Sequence, residues 1–324
     1  MTHSPARVLL LGGTGFVGRH VCEKLTRLGC SLTVITRRAS QASAIQNLPR
    51  VHVVEGDVAN LEFLTQCMQQ HDVVINLIAI LNGTPDAFEK AHVQLPHIIA
   101  KACQASGVRR LVHISALGAS LTGPSDYQRS KARGEEALKQ AGLELTLLQP
   151  SVIFGKEDKF LNLFAQLQSI TPIVPLAGAQ TRFQAVWVED VAQALAHCVL
   201  NSNTAGKTYE LCGPEVFTLQ QLVQKSGQWA GIRRGKGRLV FGIPHALAWL
   251  QAFLMELAPG QPLMSRDNLA SMKVDNVASG HALGLKDLGI QASAVSGIAP
   301  TYLGIKGPCT TLNDYRAKAG RSPQ

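Results

Sequence analysis

At 324 residues, with 46% hydrophobic and 16% charged residues, the chain has the makeup of a folded protein that buries a full core, which excludes wholesale disorder. The net charge of +9 gathers at Arg37–Arg38, at Arg233, Arg234, Lys236 and Arg238, and near the C-terminus. No stacking aromatics interleave these cations, which excludes a nucleic-acid face and leaves an anionic cofactor, an anionic membrane surface or an acidic partner.

MTHSPARV runs straight into the first strand and leaves no room for a signal peptide. No apolar stretch reaches the roughly 20 residues of a spanning helix, so no transmembrane segment is expected and the expected location is cytoplasmic. The run Val8 to Leu11 is a strand, Gly12, Gly15 and Gly18 follow it, and a helical pattern leads to a second strand at Leu32 to Thr36. Strand, glycine turn, helix, strand is the context in which a glycine fingerprint signifies dinucleotide binding. Gly12 allows the tight turn, Gly15 lets backbone approach a pyrophosphate, and Gly18 lets the helix pack on the sheet with its N-terminus toward the phosphates. Thr14, Phe16 and Val17 in the same turn are expected cofactor contacts.

The residue after the second strand selects the nucleotide. An acidic side chain there holds a ribose 2′-hydroxyl, and an arginine suits a 2′-phosphate. Thr36, Arg37 and Arg38 occupy the place, so NADP(H) is the expected cofactor and NAD(H) the less favoured one, with solvated surface charge as the plainer reading of either arginine.

Val51 to Asp57 reads as a strand and Asn60 to Gln70 as a helix. Asp57, beside Val58, stands where adenine would lie; its alternative role is to cap the next helix. Asp72 to Ile80, DVVINLIAI, is a continuous apolar strand of the kind buried on both faces of a parallel sheet, and its end (Leu77, Ile78, Ala79) should pass beneath the cofactor ribose. Asp86 to Ser106 is helical and Arg110 to Ala116 is the next strand, with Ile114 at its cofactor end. Tyr127 and Lys131, four apart, share one helical face. An ammonium beside a phenol lowers its pKa toward working pH, and the same lysine can hold the nicotinamide ribose.

Glu144 to Val152 is a sixth strand, which places Pro150 and Val152 at the cofactor. Lys159 to Ser169 is helical, Thr171 to Thr181 is a Pro- and Gly-rich loop, and Arg182 to Leu195 gives a short strand and a helix entered at Glu189–Asp190. Tyr209 to Cys212 is a strand, and Thr218 caps a helix through Trp229. Leu239 to Leu257 is apolar and helix-like, between Pro244 near its start and Pro259 past its end; it either covers a substrate cleft or lies on a membrane or partner. The fold expected is α/β: a Rossmann-type doubly wound parallel sheet over 1–155, with 182–200 returning to it, and a smaller C-terminal α/β substrate lobe over 156–181 and 201–324. The seven cysteines (Cys22, Cys30, Cys67, Cys103, Cys198, Cys212 and Cys309) show no CxxC and no paired spacing, and the histidines do not cluster, so neither disulfides nor a metal are expected.

GGTGFVG at Gly12 to Gly18, GD at Gly56–Asp57, YxxxK at Tyr127 and Lys131, QPSVIFG at Gln149 to Gly155, VWVEDVA at Val186 to Ala192 and YELCGPE at Tyr209 to Glu215 fall in one order. In that order they resemble the extended and atypical branches of the short-chain dehydrogenase/reductase superfamily, over the first two-thirds of the chain. YQRSKARGEE, with the C-terminal SRDNLASMKVDNVASG (Ser265 to Gly280) and LGI (Leu288 to Ile290), is similar to the NADPH-binding accessory subunits of respiratory complex I in their bacterial homologues rather than to sugar epimerases. The resemblance implies tight NADP(H) binding and a structural or regulatory role at a membrane enzyme. It also implies a respiratory-complex or membrane-surface partner and a peripheral seat at the inner face of the membrane.

The wider family places a Ser or Thr one or two residues past the fifth strand, where it holds the substrate carbonyl. Here Ala116 and Leu117 follow Ser115, and Leu117 cannot donate. Ser115 or Ser120 is left for that role, Ser115 otherwise being a strand serine bonded to backbone. The competing expectation is an active oxidoreductase, epimerase or dehydratase that uses Tyr127 and Lys131, linked to quinone metabolism.

Overall fold

The computed structural model describes residues 6–257 and 264–304; Pro259, Cys309 and the polar C-terminal end lie outside them. Short runs of Val, Leu and Ile, buried on both faces, build the central sheet. Its first strands are β1 (Arg7–Leu11), β2 (Ser31–Thr36), β3 (Val51–Glu55), β4 (Val73–Asn76), β5 (Arg110–Ile114) and β6 (Glu144–Pro150). Helices α1 (Phe16–Arg27), α2 (Leu61–Met68), α3 (Pro85–Glu89), α4 (Leu95–Ser106) and α5 (Asp126–Lys139) connect them. After β7 (Ile153–Phe154) come α6 (Leu161–Ile170), β8 (Ile173–Leu176), β9 (Arg182–Phe183), β10 (Val186–Trp187) and α7 (Val188–Leu200). Then follow β11 (Thr208–Leu211), β12 (Phe217–Thr218), α8 (Leu219–Trp229), β13 (Leu239–Gly242), α9 (His245–Leu257), α10 (Arg266–Ser271), β14 (Leu283–Gly284) and α11 (Val295–Leu303).

The main sheet runs β14-β11-β6-β5-β4-β1-β2-β3, every neighbour parallel. The order reverses between β1 and β4, and an open parallel sheet takes its ligand outside the carboxyl ends at such a point. One face is covered by α1 and α7 through Val21, Leu25, Val191 and Leu195, the other by α2, α4 and α5 through Leu64, Met68, Ile99 and Leu138. A separate core under α6, α8 and α11 (Leu161, Leu222, Val223, Val295, Ala299) forms the smaller lobe. Among the described residues no helix is long and apolar enough to cross a membrane.

The expected α/β architecture is present, and five local readings change. Asp72 to Ile80 is not one strand: β4 ends at Asn76, whose side chain takes the Ile78 N–H at 3.0 Å and turns Leu77–Ile80 out of the sheet. The stretch Thr171 to Thr181 contains β8, and Leu239 to Leu257 begins as β13, paired in parallel with β8 before α9 starts. The helix expected from Asp86 is broken by a π turn over 90–94 between α3 and α4. Finally, β11 and β14 come from the stretch assigned to the lobe and yet extend the main sheet beside β6.

Candidate functional site

The glycine turn is shaped by contacts that a side chain would destroy. Gly12 sits at φ +85, and a Cβ there would stand 3.2 Å from the Ile78 nitrogen and the Leu77 carbonyl carbon. A Cβ at Gly18 would fall 2.4 Å from the Gly12 oxygen, so α1 can press on the turn only through glycine. Gly15 is the N-cap of α1 and offers no side-chain cap, which leaves the first N–H groups of a twelve-residue helix facing the crevice. Leu77, Ile78 and the exposed Ala79 form the floor beside Gly12, and Gly155 closes against Phe16 and Val188.

At the adenine end Arg37 and Arg38 are exposed, and neither pairs with a carboxylate among the described residues. Strand register brings Glu55 opposite Thr36, a placement the sequence order conceals, and its Oε2 accepts the Ala39 N–H at 2.8 Å. Arg37, Glu55, Gly56 and Asp57 line one cavity. Asp57 spends Oδ1 on the Ala59 N–H at 2.9 Å, while the cap of α2 is Asn60, which accepts from Phe63 N–H at 3.1 Å. Val58 packs against the core beneath α2 and α4.

At the nicotinamide end, Lys131 is buried and its Nζ donates to the Ile114 carbonyl at 2.9 Å. Burial pushes the ammonium down to about 8. The Tyr127 ring packs edge-on to His92 and Phe88, with centroids 5.5 and 6.1 Å away. Burial pushes its phenol up to about 12. This corrects the expectation that Lys131 lowers the phenol: the ammonium is held by a carbonyl, and desolvation dominates at Tyr127. Ser115 donates only its backbone N–H, to Leu148 O at 2.8 Å; its buried Oγ finds no partner among the described residues, so the reading of a hydroxyl bonded to backbone fails. Ser120 is engaged within its own loop, with Thr122 Oγ1 at 3.3 Å. Pro150 accepts the Leu117 N–H through its carbonyl at 2.9 Å and ends β6 at the crevice.

Sequence reasoning missed a buried network beneath Tyr127. His92, in the π turn, accepts the Ile80 N–H at Nε2 (3.1 Å), so its proton lies on Nδ1, which donates to Ser130 Oγ at 2.9 Å. Ser130 in turn donates to the Tyr127 carbonyl at 2.9 Å. Burial, then Lys131, push His92 down to about 3. Gly134 admits this π turn, since a Cβ there would stand 1.9 Å from the His92 oxygen. Next to it His113 and Asn76 meet at 3.1 Å, and burial holds His113 neutral. Their signal in the sequence is weak, because three separate segments meet only in the fold.

The C-terminal stretch reaches the same place. Asp267 on α10 accepts the Asp126 and Tyr127 N–H groups at 2.6 and 3.2 Å, which caps the helix that carries the Tyr–Lys pair. Asn276 Oδ1 accepts from Ser151 Oγ (2.6 Å) and Val152 N–H (3.2 Å), and its Nδ2 donates to Leu117 O at 3.3 Å. A cradle that a Cβ would fill, an uncapped helix N-terminus, two unpaired arginines and an orphaned buried hydroxyl fit an extended dinucleotide.

The comparisons agree with this geometry. A family described as NAD(P)H-binding matches residues 12–202. The mouse mitochondrial NADH dehydrogenase [ubiquinone] 1 alpha subcomplex subunit 9 is 31% identical over 301 residues, 87% of this chain and 75% of that protein. A ceramide reductase of Caulobacter vibrioides is 28% identical over 245 residues, 74% of this chain and 72% of its own. Among solved structures, an NADPH-dependent quinone oxidoreductase of Escherichia coli complexed with NADPH superimposes with a TM-score of 0.74, at 20% identity, over 91% of this chain and 99% of the other.

Proposed function

The chain belongs to the NAD(P)H-binding family, as a homologue of the complex I alpha-subcomplex subunit 9 and of bacterial reductases of the short-chain dehydrogenase/reductase type, and from that premise we propose that it holds NADP(H) as a mainly structural nucleotide. The observation that carries NADP(H) is the pair Arg37 and Arg38, exposed and without acidic partners among the described residues where β2 ends. Glu55, the carboxylate nearest by register, is occupied by the Ala39 N–H and is free to hold a ribose hydroxyl through its other oxygen only.

In this reading Gly12, Thr14, Gly15, Phe16, Val17 and Gly18 hold the pyrophosphate at the α1 N-terminus. Asp57 and Val58 flank the adenine, and Leu77, Ile78 and Ala79 floor the ribose. Ile114, Lys131, Pro150 and Val152 surround the nicotinamide end. A structural role is supported by Leu117 in place of a donor, by a phenol pushed up rather than down, and by a lysine tied to the Ile114 carbonyl. Relatives of that kind belong to a respiratory complex, so the proposed seat is peripheral at the inner face of the membrane, against such a complex.

The test is nucleotide titration. Loss of a charge-assisted bond of about 1.5–3 kcal/mol should make Arg37→Ala roughly ten- to hundred-fold weaker for NADPH. Its affinity for NADH should stay within a small factor of wild type. Equal losses for the two nucleotides would remove the NADP(H) assignment.

One observation favours a second reading, an active oxidoreductase, epimerase or dehydratase linked to quinone metabolism: the buried Ser115 Oγ has no hydrogen-bond partner among the described residues. A bound NADPH would supply a hydride to a carbonyl carbon. Tyr127 would give its phenolic proton to the carbonyl oxygen, Ser115 would donate a hydrogen bond to that oxygen, and Lys131 would hold the ribose and offset the charge of the phenolate with its ammonium. Steady NADPH consumption with a quinone or carbonyl, abolished in Tyr127→Phe, would establish this reading; a nucleotide that persists through such substrates would exclude it.

A further inference from the structure

Helix α9 wears its polarity inside out. The side chains it buries are Ala248 and Ala252, one turn apart, and Ala248 packs with Ala177 and Leu269. Its large residues point away: Leu247, Leu250 and Leu254, spaced along one face, are 56%, 48% and 58% exposed, and Trp249 is 45% exposed. Leu247, Leu250, Gln251, Leu254 and Met255 line a shallow apolar groove there. The ribbon just ahead of the helix repeats the pattern. Leu239 and Phe241 on β13 lie opposite Ile173 and Pro175 on β8, all four exposed, while Val240 and Val174 fill the core. Exposed apolar patches of this kind on a folded chain mark contact sites.

Charge says what the contact is. From Ser226 to Met255 the sequence holds no Asp or Glu, and it holds Arg233, Arg234, Lys236 and Arg238. Arg233, Arg234 and Lys236 are exposed and make no ion pair with the described residues. Arg233 and Arg234 adopt φ +50 and +60, successive left-handed residues between Gly231 and Gly235, which folds the cations into a tight turn immediately before β13. On the other flank Arg266 is neutralised by Glu256, its Nε 2.8 Å from Oε2, and its guanidinium lies 5.4 Å from the Trp249 ring and 5.2 Å from Phe253, so the free cations of this face are those of the turn before β13. Residues 305–324 carry Lys306, Arg316, Lys318 and Arg321 against Asp314, a net positive charge.

We propose that α9 and the β8–β13 ribbon form a docking face for a bilayer rich in anionic lipid, with Leu247, Leu250, Leu254 and Trp249 entering the acyl boundary and Arg233, Arg234 and Lys236 reaching the headgroup phosphates. An apolar stripe flanked by cations supplies the two signals that stable peripheral attachment needs. The face is independent of whether the nucleotide turns over, and it gives the peripheral placement proposed above a specific surface.

The experiment uses the full chain and sedimentation with vesicles of phosphatidylcholine alone or of phosphatidylcholine and phosphatidylglycerol in equal parts. The protein should pellet with the anionic vesicles at low salt, release at high salt, and ignore the neutral ones. Arg233→Ala with Arg234→Ala should weaken binding roughly five-fold per arginine and flatten the salt dependence. Leu250→Asp with Leu254→Asp should abolish binding with NADPH affinity unchanged. If that variant fails to fold, quenching of Trp249 by brominated lipid in the otherwise wild-type chain, with Trp187 and Trp229 replaced by Phe, decides the matter. No pelleting at low salt, equal binding to neutral vesicles, unquenched Trp249, or a concentration-dependent dimer lost in the Leu250→Asp chain would each overturn the proposal, the last by giving the face to a second copy.

Discussion

His92 does its work by remaining neutral. It holds the Ile80 N–H on one nitrogen and Ser130 on the other, and so ties the loop after β4 to the helix that carries Tyr127 and Lys131. Its folded pKa lies near 3, below the value of about 6.5 of a free imidazole, so between these values the unfolded chain binds the proton and the native chain does not. Stability from this residue is therefore present above pH about 6.5 and is lost as pH falls, by about 2 kcal/mol at pH 5. Urea unfolding from pH 7 to 5 should show that slope, and His92→Gln should reduce it, with buried His113 leaving a remainder. At pH 7, His92→Leu should cost about 1–3 kcal/mol, because it leaves the Ile80 N–H without its acceptor and the Ser130 hydroxyl without its donor, and Gln should recover part of the loss. The Tyr–Lys pair was legible because both residues lie on one helix at a fixed spacing. His92 was not, because its partners come from a different loop and a different helix. Glu55 was hidden for a related reason: only the pairing of β2 with β3 brings it beside Arg37.

The N-terminus of α5 is finished by an element about 140 residues away in the chain. Ser125 accepts the Gln128 N–H at 3.1 Å, and Asp267 accepts those of Asp126 and Tyr127, so the first three N–H groups of the helix are satisfied. Burial pushes the Asp267 carboxyl up against these bonds, which offsets part of the benefit of the charge at the helix end. Asp267→Ala should destabilise the protein by about 1–2 kcal/mol and weaken NADPH binding through Tyr127 and Lys131, and Asp267→Asn should lose less of both. Equal NADPH affinity across the three proteins, read by fluorescence titration, would separate the cap from the site. The strands β1, β5 and β6 were readable in sequence from their apolar runs. The run through Asn76 misled because a single side-chain bond to Ile78 ends a strand that hydropathy continues. The β8–β13 ribbon misled because Pro175, harmless on an exposed edge position, reads as a breaker.

At the scale of the whole molecule, the segment from Asp267 to Asn276 joins the two cores. Asp275 pairs with Arg182 at 2.7 Å, and the Asn276 backbone bonds Arg182 and Gln184 while its side chain holds Leu117, Ser151 and Val152. The loops after β5 and β6 are thereby fastened to the smaller lobe beside the Tyr–Lys pair. The resemblance singled this segment out as a signature, but periodicity alone assigned it no role, because side-chain bonds between loops leave no repeat in a sequence. Bonded in this way, the chain should unfold in one transition, and NADPH should raise its midpoint by mass action on the native state alone. Asn276→Ala removes three side-chain bonds and leaves the Val152 N–H and the Leu117 carbonyl without their partner, a loss of roughly 3 kcal/mol, which for a chain of this length is about 4 °C. Calorimetry of the variant should show either that lower single transition or two resolved ones. A midpoint equal to that of wild type would mean that the two cores are held together by packing and that the Asn276 bonds contribute nothing net. A split transition in which only the upper part responds to NADPH would assign the nucleotide to the central sheet and make Asn276 the residue through which the smaller lobe senses it.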